Sequence, residues 1–165
     1  MDIWDFIREE TFWKILLFIH FLLAVSLLAA VTLQVVTGLF IPARQVAGHF
    51  VEYAPVPAAS YATLIIVLYV LQSLMGAWLY IKYRTYVRIP MEELRHWWTL
   101  GSFEFKEHVA AMGLGMLPAY WYFWREPYSM QFVVIRKWVT VFLAVSVWYN
   151  FVIGHVANDF RGVGS

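Results

Sequence analysis

The stretch from Phe12 to Ile41 constrains this chain more than any other, because only Lys14, His20, Ser26, Thr32, Gln34 and Thr37 interrupt an otherwise apolar run. Coiled as a helix at about 1.5 Å per residue, it is longer than the roughly 30 Å hydrocarbon core of a bilayer. Lipid offers backbone amides no partner, so a segment this apolar must satisfy its own hydrogen bonds, and the α-helix does so within one segment. The whole chain follows the same pattern. Of its 165 residues 62% are hydrophobic, 19% are aromatic and only 14% are charged, which excludes an ordinary soluble domain. We expect an integral membrane protein of the all-α class, a four-helix bundle forming a single transmembrane domain over 1–165.

The spans are expected near 12–41, 58–82, 103–124 and 131–158. An acidic, amphipathic lead with Asp2, Asp5, Glu9 and Glu10 among Ile3, Trp4, Phe6 and Ile7 precedes the first. It reads as an interfacial segment rather than the basic n-region of a cleaved signal. Pro42 is expected to stop the first helix, and Arg44, Gln45, His49, Glu52, Pro55 and Pro57 to form an irregular polar connection. The second span holds Gln72 and Ser73 at its middle and Trp78, Tyr80 and Tyr83 at its far end, where an aromatic belt belongs. A polar connection from Tyr83 to Phe105 follows, with an amphipathic surface helix expected around Met91 to Thr99. Ala110, Ala111, Gly113 and Gly115 in the third span allow close helix approach or make room for a flat cofactor.

Four spans place both termini on one face. Arg8, Lys14, Lys82, Arg84, Arg88, Arg95, Lys106 and Arg161 lie on that side, against Arg44, Arg125, Arg136 and Lys137 on the other, a bias that puts both termini in the cytoplasm. The net charge of +1 gives no reason to propose nucleic acid as a partner. With no cysteine, disulfides, cysteine-ligated iron–sulfur clusters and covalent haem are excluded within the chain. A redox cofactor would be held by histidine or without a covalent link.

This topology brings three histidines into one leaflet. His20 lies roughly 9 Å beyond Lys14, and His155 roughly 6 Å inside Asp159, at about 1.5 Å per residue. Two neutral imidazoles on facing helices can take both axial positions of a haem iron, so His20 and His155 are the candidate metal ligands. His108, near the start of the third span, is a further cofactor-site candidate: it can replace His20, or meet a lipid headgroup or a quinone. Each ring also has a packing alternative, donating to a backbone carbonyl. His49 and His96 lie in polar connections and are expected to be solvated or hydrogen-bonded. Gln34 and Gln72 are expected to bond to neighbouring helices.

The run Lys14-Ile-Leu-Leu-Phe-Ile-His20, ending in Thr37-Gly38, resembles the first helix of the cytochrome b subunits of membrane formate dehydrogenases and nickel–iron hydrogenases. Arg88-Ile-Pro-Met, then Phe105-Lys106, then Phe151-Val-Ile-Gly-His155-Val-Ala are similar to that family in order and setting. The resemblance implies haem b held by His20 and His155 near the cytoplasmic face, with quinone reduced beside it. It also implies other subunits of a membrane redox complex as partners, in a bacterial or archaeal cytoplasmic membrane. The chain departs from the family where the second span carries no histidine and Val141 stands near a second ligand position, which would remove a second haem. The expectation is therefore an electron-transfer subunit with one non-covalent haem b. A haem-free anchor or assembly subunit is the alternative. A small channel through His20 and His155 is a third reading, without the row of intramembrane carboxylates that would support it. No nucleophile–base set names a substrate.

Overall fold

The computed structural model describes residues 3–37, 44–46, 49–51, 58–127 and 129–162. Its long elements are α1 (Ile3–Val35), α2 (Ala58–Tyr83), α4 (Trp97–Trp124) and α5 (Val133–Gly162), with a short α3 (Ile89–Glu93) between α2 and α4. The architecture is an all-helical bundle, as the apolar runs require. Three helices, over Glu9–Val35, Ser60–Glu93 and Val133–Val156, are long and apolar enough to cross a membrane. α4 is as long as its neighbours, but Glu104, Lys106, Glu107 and His108 near its start and Pro118 within it make it less apolar. The chain is an integral membrane protein whose exposed Phe18, Leu22, Leu74, Ile81, Val134 and Trp138 suit contact with lipid.

The boundaries differ from those expected at three places. The acidic lead is no separate element, because α1 begins at Ile3 and runs through it. Nothing between Asp5 and Lys14 breaks a helix, and Lys14 pairs with Glu10 one turn away at 2.7 Å. The first connection contains a two-stranded antiparallel hairpin, Arg44–Val46 with His49–Val51, where an irregular segment was expected. Pro42, expected to stop α1, lies outside the described residues, as do the side chains of His49, Asn158, Asp159 and Arg161. The surface helix expected over 91–99 is instead split between α3 and the start of α4. Leu94, Arg95 and His96 bond back to Pro90, Glu92 and Met91, with Arg95 in the left-handed region at φ 57°. This closure turns the chain sharply before α4.

α1 packs on α2 and α5, and α4 packs on the same two, so the four long helices form a closed ring in the order α1, α2, α4, α5. Leu27, Ala30 and Val31 of α1 meet Ala62, Ile65 and Tyr69 of α2, Leu117, Tyr120 and Trp124 of α4, and Val139, Leu143, Ala144 and Val147 of α5. Across the diagonal, the Tyr120 hydroxyl donates to Oε1 of buried Gln34. At the turn into α5, buried Arg136 reaches the carbonyls of Glu126 (2.9 Å), Ser129 (3.3 Å) and Phe123 (3.4 Å) and lies over the Trp124 ring. Tyr69 fixes α2 to α4 differently: its hydroxyl donates to the Ala110 carbonyl at 3.1 Å while its ring lies against Gly113. Only glycine fits there, since a Cβ would stand 1.9 Å from the phenolic oxygen.

Candidate functional site

The packed core occupies one half of the bundle only. Every residue of that cluster lies toward the connections that join α1 to α2 and α4 to α5. At the other end, toward the termini, Val87, Met91, Thr99 and Leu100 bury themselves where α3 folds against the start of α4. Between these two packed zones is a layer of different composition: His20 of α1, Gln72 and Gly76 of α2, Lys106 of α4, and Asn150 and Gly154 of α5. Small residues let helices approach or leave space for something flat, whereas buried polar atoms in a low-dielectric setting demand partners.

His20 lies on the α1 stripe that includes buried Leu16, Leu27 and Gln34, which turns it into the bundle. Its Nε2 is 3.1 Å from the side-chain nitrogen of Gln72. With that amide donating, Nε2 accepts and the ring proton sits on Nδ1. Nδ1 is buried without a hydrogen-bond partner, as is the Gln72 Oε1. Gly76, one turn beyond Gln72, lies beside the same ring, and a Cβ built there would be 3.4 Å from Cε1 of His20. The imidazole is thus held by one hydrogen bond against a wall without a side chain.

The other two candidate histidines have different settings. His155 is exposed, and its ring stacks on Phe151 with the planes 3° apart. It nonetheless belongs to the stripe of α5 that meets α1: Trp148 donates to Thr32 at 3.1 Å, Phe151 lies 6.4 Å from Phe21 between ring centroids, and His155 follows one turn later. The antiparallel helices therefore carry His20 and His155 at similar depth, but the structure does not bring the two rings together. His20 turns toward α2, while His155 stays on the rim. His108 is exposed, with Nδ1 2.8 Å from the carbonyl of Glu104 in its own helix, and it does not join His20. Gln34 and Gln72 both bond across helices, to Tyr120 and His20.

Sequence reasoning passed over Lys106, Gly76 and Gly154 as members of this layer. Lys106 was counted only as a basic residue on the terminal side. Its ammonium instead turns inward: a Cβ on Gly154 would lie 3.7 Å from Nζ, and the charge is close enough to act on His20. The available signal was the spacing of Gln72 and Gly76 at i and i+4, which puts a polar and a bare position on one helical face. Among the described residues, no cluster of three or more histidine, cysteine or carboxylate side chains gathers to hold a metal ion. Any metal here would need a prosthetic group that supplies most of its coordination, leaving axial positions for imidazole. Comparison with family models, with curated proteins and with solved structures returned no match.

Proposed function

We propose that this protein is the electron-transfer subunit of a membrane redox complex, holding one haem b between α1 and α5 and exchanging electrons between a partner subunit and the quinone pool. The observation that carries this reading is the polar layer around His20. There the His20 imidazole, with buried Nδ1 and a neighbouring Gln72 oxygen both unpartnered, lies beside Gly76 in the half of the bundle outside the apolar core, where Gly154 lies near the Lys106 ammonium. Those residues fit a flat, apolar plate with polar edges. His20 supplies one ligand from inside the ring of helices. His155, on the α1-facing stripe of α5, supplies the other by leaving its stack on Phe151. Bound there, haem supplies a reversible one-electron couple. The chain's own part is to orient the imidazoles, to free His20 Nδ1 as a ligand by turning the Gln72 amide so that its oxygen accepts from Nε2–H, and to exclude water with the packed zones above and below.

In this reading α4 crosses the membrane with the others, because it packs on both α2 and α5 and exposes apolar Phe105, Met112 and Leu114 outward. Both termini are then cytoplasmic. The connection from Arg84 to Lys106, with the Lys106 side chain itself turned into the bundle, faces the cytoplasm as the docking surface for a partner, with quinone approaching the edge of the site near His108. A second reading, a haem-free anchor subunit, is favoured by the separation of the two rings and by His108 bonding back to its own helix. Visible absorption spectra of the purified protein and its His20→Ala, His155→Ala and His108→Ala variants decide between them. The haem reading expects haem bands that are lost in the first two variants and kept in the third. An unmodified protein without haem establishes the anchor reading, and haem retained in both ligand variants overturns the His20–His155 pair as its ligands.

A further inference from the structure

Lys106 combines burial with a weak ion pair, whereas Arg125, whose adjacent Glu126 also stands at 4.0 Å, is 47% exposed. Lys14 has Glu10 at 2.7 Å, Arg88 has Glu92 at 2.8 Å and Glu104 at 3.4 Å, and Arg136 has three carbonyls. The Lys106 side chain is only 16% exposed, and its one carboxylate neighbour among the described residues is the adjacent Glu107 at 4.0 Å, the limit of an ion pair. The ring of Phe103, 4.2 Å from Nζ, offsets part of the desolvation. A cation drawn into a membrane bundle without a close anion is costly, and such groups mark binding sites. Its place sharpens the point. The ammonium lies near bare Gly154, the residue that precedes His155 in α5.

We propose that Lys106 binds an anionic carboxylate of the same ligand, a haem propionate, so that the site grips the plate at two points: imidazole at the iron and ammonium at the rim. This rests on the haem reading above. The Lys106 ammonium reaches α5 at Gly154, where no side chain stands between it and the ligand. A charge-assisted pair in this setting makes the free-acid haem bind about ten- to a hundredfold more tightly than its esterified form.

The test titrates the full-length, haem-free chain in detergent with protohaem and with protohaem dimethyl ester, following the absorbance of bound haem. The unmodified protein and the Lys106→Arg variant are expected to prefer the free acid by at least about tenfold, and Lys106→Met to bind both forms as the unmodified protein binds the ester. Equal affinity of the unmodified protein for acid and ester overturns the inference without recourse to any variant, and so does a full preference for the acid in Lys106→Met. Binding of neither form by the unmodified protein refutes the haem reading itself, and the Lys106 assignment with it.

Discussion

Replacing Gly113 with alanine tests whether the Tyr69 contact sets the floor of the site. On propensity alone the change should stabilise α4 by about 1 kcal/mol, since alanine is the better helix former. The structure argues for the opposite sign. The added Cβ would stand 1.9 Å from the Tyr69 hydroxyl oxygen and 2.7 Å from Cζ, so the ring must retreat by about 1.5 Å to restore ordinary contact. That retreat breaks the 3.1 Å hydrogen bond to the Ala110 carbonyl and leaves a buried hydroxyl unpaired, which costs about 1–3 kcal/mol. Overpacking at a helix crossing adds about 1–3 kcal/mol. The net expectation is a loss of about 1–5 kcal/mol, read by denaturant titration in detergent micelles with helical circular dichroism as the signal. Adding Tyr69→Phe removes the oxygen that clashes and should recover at least about 1 kcal/mol relative to additivity. Because Gln72 follows Tyr69 by one turn of α2, the single variant should also weaken ligand binding at His20. A Gly113→Ala protein as stable as the unmodified one would refute the reasoning, showing that Tyr69 moves aside freely.

Gly76→Leu should leave the helical content intact and abolish haem binding, because its side chain would enter the space beside the His20 ring; circular dichroism and absorption spectra on one sample check both. Arg136→Ala should destabilise the bundle by about 3 kcal/mol by orphaning the carbonyls of the α4–α5 turn, and lysine should rescue little, since one ammonium lacks the fork that reaches all three; thermal unfolding in detergent measures it. Arg95→Gly should stabilise by about 0.5–1 kcal/mol by relieving a left-handed backbone at φ 57°, read as a rise in the same unfolding midpoint. Reporter fusions at residues 50 and 127 should both report the non-cytoplasmic side, and a cytoplasmic signal at either position contradicts the proposed orientation.

The helices were legible because lipid makes length and apolarity sufficient: α2 begins at Ala58 and ends within one residue of the expected boundary. The faces were not. A membrane helix is apolar outside as well as inside, so periodic hydropathy does not separate Leu27, which is buried, from Leu22, which faces outward. Only polar and bare positions mark the interior, and His20, Gln34 and Gln72 were read correctly as inward-looking for that reason. His155 shows the limit of depth as a guide, since two residues at one level can still point to different neighbours. The inward turn of Lys106 was missed because a lysine near a helix start reads as solvated; Gly154, beside its ammonium, lies nearly fifty residues later, and no local pattern reports the approach. The split of α3 from α4 rests on Arg95 adopting a conformation that arginine rarely favours, so the sequence carried no signal for it.

The ring order of the helices has a consequence for biosynthesis. α1 touches α2 and α5, and of the helices in this chain α1 emerges first and α5 last. Until α5 inserts, α1, α2 and α4 make a three-sided trough in the bilayer, with His20, Gln72 and Lys106 on its walls and the fourth side open to lipid. Only the arrival of α5 covers that side, and it carries the packed residues from Val139 to Val147 into the membrane before Gly154 and His155. Within this order of synthesis, the apolar half of the seam between α1 and α5 enters the membrane before the half that carries Gly154 and His155.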